Sequence, residues 1–148
     1  MTNEITQTNC IICGDCRDQL DLPRTCVELR EMNSLEFRNL VITRLDVKPN
    51  RNYDIHVDGW TYKMDEFGMR QKMGLAAVIQ IKQSDKVGIS GIRNLVGTMA
   101  IDRYTDGKTG IFVAFSFTLG AREFVRKLKV ESGISVQLLT VKELFDCE

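Results

Sequence analysis

The sequence predicts an α/β domain in which a mixed β-sheet is flanked by helices. Helical and strand patterns alternate along the chain after residue 26, and several segments carry apolar residues on one helical face. The continuous apolar run "IFVAF", Ile111 to Phe115, is typical of a central strand that is covered on both faces. At 148 residues the chain is long enough for one domain with a substantial core and too short for two comfortable ones.

Three helices are predicted from their caps and their apolar spacing. Asn33 can cap a helix that begins at Ser34, after which apolar residues recur at helical intervals. A second amphipathic helix is predicted from Ile89 to Met99. Thr118 can cap a third helix, and Gly133 is well placed to end it because glycine tolerates the left-handed conformation common after a helix.

The remaining elements are strands, one of which ends in polar residues. "YDIHVDGWTYKM" predicts one or two short strands with a break at Asp58-Gly59, and "ISVQLLT" predicts a last strand before a short helical tail. Between them, "LAAVIQIK" predicts a buried strand that ends in Gln80 and Lys82. The predicted order of elements is α-β-β-β-α-β-α-β.

Charge is unevenly distributed along a chain whose formal net charge is zero. Residues 1–36 hold three basic and seven acidic residues, whereas residues 82–129 hold nine basic and four acidic residues. This asymmetry permits a side that faces a polyanion in the second half of the chain. No apolar run is long enough to cross a membrane, and the N-terminus lacks a signal-peptide pattern. We therefore expect a cytoplasmic protein without membrane contact, in which the five cysteines are reduced.

The polar end of the "LAAVIQIK" strand combines residue types that suit phosphate chemistry. Gln80 and Lys82 share one face because alternate side chains of a strand point the same way, while Ile81 points to the other face. The amide oxygen can hold a divalent metal, and the ammonium can stabilise charge that develops on phosphorus. Asp58, on the predicted neighbouring strand, would complete the site. Two alternatives stay open: Asp58-Gly59 as a simple hairpin turn, and Lys82 as a strand-end lysine that reaches solvent.

This arrangement resembles the Mrr-type restriction endonuclease domain, a branch of the PD-(D/E)xK nuclease superfamily. The resemblance rests on Asp58-Gly59, on Gln80-Ile81-Lys82, and on the flanking segments "MNSLEFRNLVITRL" and "IFVAFSFTLGAREFVRKLKVESGISVQLLTVKEL". It covers about residues 27–143, and the last segment is similar to the Mrr-type domains fused to some prokaryotic DNA methyltransferases. It implies a restriction-endonuclease-like mixed β-sheet flanked by helices, and DNA endonuclease activity in restriction or defence.

In that family the matching residues bind the metal and carry the catalysis. The resemblance implies that Asp58, Gln80 and the carbonyl of Ile81 bind Mg²⁺ or Mn²⁺, and that Lys82 assists the attack of water. Two positions depart from the family pattern: His56 replaces a common glycine, and Arg38 stands where a glutamate of the first helix is common. Glutamine in place of an acid also leaves less negative charge for the metal. The alternative function is therefore a non-cleaving DNA-binding module with the same fold.

Residues that follow the "LAAVIQIK" strand and open the third helix are candidates for contact with DNA. Free backbone N–H groups at a helix start can hold a phosphate, and basic side chains can contact the DNA backbone. Capping alone also explains Thr118, and a basic helix face is often only solvated. The family resemblance further implies a homodimer. The candidate DNA-binding residues are Ser84, Lys86, Ser116, Thr118 and Arg122.

The first 26 residues are predicted to form a separate cysteine-rich segment, and residues 27–148 the nuclease-like domain. Cys10, Cys13, Cys16 and Cys26 supply four thiolates, enough for zinc or an iron–sulfur cluster. The stretch "NCIICGDCRDQLDLP" instead resembles the opening of N4/N6-type amino-methyltransferases, which implies a methyltransferase remnant without that family's Gly-rich cofactor loop or DPPY-type motif. Buried free thiols are the third interpretation.

Overall fold

The computed structural model describes residues 25–51 and 57–147, which form one mixed five-stranded sheet with helices against it. The strand order in the sheet follows the chain. The pairs up to the third strand are antiparallel, and the later pairs are parallel. The predicted class, a mixed sheet flanked by helices, is confirmed. The strands are β1 (Lys48–Pro49), β2 (Gly59–Met64), β3 (Arg70–Ile81), β4 (Thr109–Ala114) and β5 (Ser135–Thr140).

The helices begin and end where local capping predicts. Asn33 and Thr118 accept hydrogen bonds from backbone N–H groups in the first turn of their helices, and Gly133 ends its helix at φ 70°. None of the helices in residues 25–51 and 57–147 is long and apolar enough to cross a membrane. The first helix was not predicted. The helices are α1 (Cys26–Glu31), α2 (Ser34–Leu45), α3 (Ile89–Ile101), α4 (Leu119–Ser132) and α5 (Val141–Phe145).

A hydrophobic core lies on each face of the sheet because successive strand residues point to opposite sides. In β4, Phe112 belongs to the cluster that includes α3 and α4 residues, whereas Val113 belongs to the cluster that includes α1, α2 and α5 residues. In β3, Val78 belongs to the first cluster and Ile81 packs against the second. The predicted alternation along β3 is therefore observed, and the face of Val78 is also the face of Gln80.

Gly59 opens β2 at a point where three strands approach closely. It pairs with Pro49 of β1 and Ile79 of β3. A Cβ atom at this position would lie 2.7 Å from the Lys48 carbonyl oxygen, so the close approach requires glycine. The alternative of a hairpin turn at Asp58-Gly59 is therefore wrong: the β2–β3 turn lies at residues 65–69, where Asp65 accepts backbone hydrogen bonds.

A disulfide joins Cys26 at the start of α1 to Cys147 after α5. The two Cα atoms are 5.8 Å apart, although 121 residues separate the cysteines in sequence. The expectation of reduced thiols is wrong for this pair, because both ends of the described chain pack into the same core and bring the two sulfurs together. Cys26 is thereby withdrawn from the predicted four-cysteine zinc site, whose other members, Cys10, Cys13 and Cys16, lie outside the described residues.

Candidate active site

Asp58 immediately precedes β2 and is tied to the end of β3. Its N–H donates to the Ile79 carbonyl at 2.9 Å, and its Oδ2 accepts from the Ile81 N–H at 2.6 Å. Ile81 is the residue between Gln80 and Lys82. The β2–β3 hairpin therefore holds the carboxylate against the backbone of the predicted catalytic segment, and convergence of the three predicted side chains on one metal stays a prediction.

The other carboxylate oxygen of Asp58 is held by Arg38 of α2. Arg38 Nε lies 2.9 Å from Asp58 Oδ1, and Arg38 Nη2 donates to the carbonyls of Asn50 and Asp58 at 2.8 Å each. The side chains of Arg38 and Asp58 are 19% and 23% exposed, so water screens this ion pair less than it screens a surface pair. Sequence reasoning noted a basic residue in place of an acid at this position but missed the ion pair.

Gln80 and Lys82 occupy the end of β3 with different exposures. Gln80 is partly buried, and its Oε1 is enclosed without a hydrogen-bond donor among the described residues. A buried acceptor left unsatisfied costs about 1–3 kcal/mol, so this oxygen is placed to accept from a donor or a cation. The Lys82 N–H donates to the Val113 carbonyl at 2.8 Å, and its side chain is exposed. The structure therefore fixes the Lys82 backbone, and the role of its exposed ammonium stays a prediction.

The loops after β3 and β4 are hydrogen-bonded to each other, which brings four predicted DNA-binding residues together. The Lys86 N–H donates to Ser116 Oγ at 2.7 Å, and the Ser84 carbonyl accepts from the Phe115 N–H at 2.9 Å. The Thr118 N–H donates to the Val87 carbonyl at 3.0 Å. The two loops therefore present one polar surface at the end of the parallel strands, and its role in DNA binding stays a prediction.

Basic side chains of α3 and α4 extend from this surface but are partly engaged within the protein. The Arg122 guanidinium lies 5.8 Å from the centre of the Phe117 ring, and that of Arg93 lies 5.4 Å from the centre of the Phe124 ring. Arg126 pairs with Glu123 at 2.9 Å. Arginines that stack on rings keep their charge available at the surface, so these contacts are compatible with either a DNA-facing or a solvated helix face.

The loop after Lys82 is anchored by α1, a contact that the sequence did not reveal. Gln83 Nε2 donates to the carbonyls of Leu29, Arg30 and Met32 at 2.8, 3.2 and 2.7 Å, which satisfies the end of α1. Arg30 makes two hydrogen bonds to the Asp85 carboxylate and lies over the Phe115 ring. The Arg30 hydrogen bonds lower the pKa of Asp85, with further contributions from the Arg30 and Lys86 charges and from Ser116. In "KQSDK", Gln83 and Asp85 therefore hold the loop to α1, whereas the Lys82 side chain is exposed.

A pair of adjoining cavities lies beside the Arg38–Asp58 pair. The nearer one, of about 380 Å³, is lined by Arg38 and Asn50, and the next, of about 430 Å³, is lined by Asn50, Trp60 and Tyr104 among others. Trp60 is 5% exposed, packs edge-on against Tyr104 and donates to Asp102 at 3.3 Å. These contacts show that Trp60 packs in the core beside this cavity.

The family of the chain follows from a match that spans most of it. The family model Mrr_cat, described as a restriction endonuclease, matches residues 29–147. The chain belongs to the Mrr-type restriction endonuclease family. The match includes Asp58, Gln80 and Lys82, and it begins within α1 and ends at the cysteine that closes the disulfide. No curated protein matches this Mrr-type chain.

Two solved structures align with part of the chain. One is EndoMS in its apo form, with 21% sequence identity and a TM-score of 0.46. Another is a repair endonuclease from Pyrococcus abyssi, with 20% identity and a TM-score of 0.41. Each alignment covers 74% of the Mrr-type chain and 47% or 48% of the solved chain. The Mrr-type chain thus spans about half the length of these structures.

The residues of the site fit a divalent metal in the type of their donor atoms. Mg²⁺ prefers oxygen ligands, and Asp58 and the unpartnered Gln80 Oε1 supply them at the end of one hairpin. Their charge is less favourable: the described residues contain no cluster of three or more acidic, histidine or cysteine side chains suited to a metal, and Arg38 balances the charge of Asp58. Mg²⁺ is usually bound by one or two carboxylates together with substrate phosphates. The single carboxylate of Asp58 is therefore the smallest number with which such a site binds the metal.

Proposed function

We propose that this Mrr-type domain is a metal-dependent DNA endonuclease that hydrolyses phosphodiester bonds in a restriction or defence role. The observation that carries the proposal is the 2.6 Å hydrogen bond from the Ile81 N–H to Asp58 Oδ2. It places the carboxylate beside the backbone of the Gln80–Lys82 segment, within a chain that belongs to a restriction endonuclease family. Net positive charge in residues 82–129 supports DNA as the substrate.

The proposed roles follow from the chemistry of each group. Asp58, Gln80 Oε1 and the Ile81 carbonyl would hold Mg²⁺ or Mn²⁺, and a bound metal supplies Lewis-acid stabilisation of the phosphate oxygens and activation of water. Lys82, with its fixed backbone and exposed side chain, would place its ammonium beside the charge that develops on the phosphorus oxygens. Ser84, Lys86, Ser116, Thr118 and Arg122 would contact the DNA backbone on the surface formed by the two loops.

The first test is cleavage by a Lys82 variant. Nicking of supercoiled plasmid DNA should require Mg²⁺ or Mn²⁺, and Lys82→Ala should reduce it about a hundredfold or more because the transition state loses its ammonium. Lys142→Ala removes an exposed lysine of α5 and serves as the matched control, with unchanged nicking expected. Because Lys82 is exposed, the melting temperature of Lys82→Ala should equal that of the unaltered protein. Metal-dependent nicking that is equal in both variants would remove Lys82 from the mechanism.

A non-cleaving DNA-binding module is the second candidate, and the Arg38–Asp58 ion pair favours it specifically. A site whose single carboxylate is already neutralised holds a metal weakly. In that case the protein would retard duplex DNA in a gel, with an affinity that falls steeply with salt, and would never nick plasmid with either metal. A protein that neither binds nor cleaves DNA would reject both candidates.

A homodimer, as proposed for this domain, would appear as twice the chain mass in light scattering.

A further inference from the structure

Each oxygen of the Asp58 carboxylate accepts one hydrogen bond within the protein. Arg38 Nε donates to Asp58 Oδ1 at 2.9 Å, and the Ile81 N–H donates to Asp58 Oδ2 at 2.6 Å. The side chains of both members of the ion pair are less than a quarter exposed. A divalent cation that approaches Asp58 meets the Arg38 guanidinium, which already balances the charge of the carboxylate. Electrostatics alone therefore oppose metal binding to this site before a substrate arrives.

Arg38 is held by three hydrogen bonds, so only a group that offers comparable acceptors could compete for its guanidinium. Its guanidinium reaches Asp58 from α2, and its Nη2 contacts are to the backbone carbonyls of Asn50 and Asp58. Guanidinium groups bind phosphate oxygens through paired hydrogen bonds, in the same geometry as they bind carboxylates. A DNA phosphate at the site would thus compete with Asp58 for Arg38, and it would also supply the negative charge and oxygen ligands that a metal lacks there.

We propose that Arg38 is a gate that couples metal binding to DNA binding. Without DNA, the Arg38 guanidinium occupies the position beside Asp58 that a metal cation would need. A DNA phosphate then binds Arg38 in place of Asp58. The oxygens of Asp58 and Gln80 become available to the divalent metal. Arg38 is a positioning residue in this scheme, because it acts through Asp58. The inference rests on the proposed nuclease function for the identity of the phosphate, but its central claim concerns metal affinity and is separable from cleavage.

The gate makes metal affinity, rather than activity, the decisive measurement. Binding of Mn²⁺ to the whole chain is followed by electron paramagnetic resonance, which reports free Mn²⁺ directly. Without DNA, the unaltered protein should bind Mn²⁺ weakly, and Arg38→Gln should bind it about tenfold more tightly or better because a positive charge beside the ligand is gone. Arg44→Gln, a neighbour on α2 whose Nε donates to the Leu144 carbonyl, is the matched control and should leave Mn²⁺ affinity unchanged.

A second arm requires no change to Arg38. A non-cleavable phosphorothioate duplex should raise the Mn²⁺ affinity of the unaltered protein, measured against Asp58→Asn with the same duplex to subtract Mn²⁺ bound by the DNA itself. In Arg38→Gln the duplex should raise Mn²⁺ affinity by a smaller factor than in the unaltered protein, because the phosphate still supplies oxygen ligands but no longer has to displace Arg38. The double variant Arg38→Gln with Asp58→Asn should lose the gained affinity.

The outcomes separate the gate from the nuclease proposal. Equal Mn²⁺ affinity in the unaltered protein and Arg38→Gln, both folded by circular dichroism, would overturn the gate, and so would an unaltered protein that binds Mn²⁺ equally with and without duplex. If Arg38→Gln does not fold, the conservative variant Arg38→Lys takes its place, and the duplex should then raise Mn²⁺ affinity by a different factor than in the unaltered protein; an equal factor would overturn the gate. Tightened Mn²⁺ binding by Arg38→Gln together with absent nicking would uphold the gate and reject the nuclease.

Discussion

At the scale of single residues, the segment from Gln80 to Asp85 contains two kinds of polar residue: those proposed for the candidate site and those that hydrogen-bond to α1. Gln80 carries an enclosed oxygen without a donor among the described residues, and Lys82 is exposed. Gln83 and Asp85, in the same stretch, are committed to α1. Polar residues that look alike in sequence therefore differ in function according to which partner lies within reach.

The Arg30–Asp85 pair predicts a pH dependence of stability. The pKa of Asp85 is lowered in the folded protein, so the stabilisation is present above the unfolded pKa of about 3.9 and is lost as the pH falls through the lower folded value. Both side chains are nearly half exposed, so Asp85→Asn should cost a few tenths to about 1 kcal/mol at pH 7. Urea unfolding should show that the difference in free energy of unfolding between the unaltered protein and Asp85→Asn becomes smaller below about pH 4.

The matched control for that experiment is Glu66→Gln, which changes an exposed carboxylate at the tip of the β2–β3 hairpin. It should leave the free energy of unfolding within error at both pH values. If Asp85→Asn proved equally silent at pH 7, the ion pair would contribute nothing measurable and the pH argument would fail.

At the scale of elements, the β2–β3 hairpin is the structure that assembles the candidate site. It carries Asp58 at the start of one strand and Gln80 near the end of the other. Gly59 allows β1 and β2 to approach, and its neighbour Asp58 is aligned by the same pairing. A change at Gly59 should therefore alter both stability and the site.

Gly59→Ala should destabilise the protein by about 1–3 kcal/mol, because a Cβ placed 2.7 Å from a backbone carbonyl forces the strands apart. Thermal and urea unfolding measure this effect. Gly97→Ala, in α3, meets no atom within 4 Å and should instead be neutral or stabilising by up to about 1 kcal/mol. Equal stability of the two variants would contradict the close approach of β1 to β2.

Elements whose signals are local were predictable from sequence, and those that depend on distant partners were not. The starts of α2 and α4 and the end of α4 follow from Asn33, Thr118 and Gly133, whose capping acts within a few residues. Helix α1 was missed although Thr25 caps it locally, because a helix of six residues is marginal by itself and contacts to Gln83, Asp85 and Cys147 hold it in place. The N-terminal half of β3 was missed because "RQKMG" is polar and lacks a strand pattern.

In the candidate site, too, some features were predictable from the sequence and others depend on partners that are distant in the chain. The motif Asp58, Gln80 and Lys82 was found through family resemblance, and the pairing of the two strands that carry it was predicted from their spacing in sequence. The Arg38–Asp58 pair was not predicted, because it connects a helix to a strand start 20 residues away. The available signal was a cation where relatives carry an acid, and only the structure shows which group that cation contacts.

At the scale of the whole molecule, the disulfide connects the beginning and the end of the described fold. Its large sequence separation makes the effect on the unfolded chain substantial, and Cys26→Ser should lower the free energy of unfolding by about 2–4 kcal/mol under non-reducing conditions. Urea unfolding with and without dithiothreitol measures the difference. In dithiothreitol the two proteins should have nearly the same stability, and a loss that persists there would assign the effect to packing of the new side chain instead.

The link between Cys26 and Cys147 also gives the polypeptide the topology of a covalent ring. One peptide bond cut by a protease anywhere inside that ring would leave both fragments attached to each other, so the nicked chain would run as a single species on a non-reducing gel and separate only after reduction. Protease mapping of exposed loops would then locate the cut without dispersing the pieces.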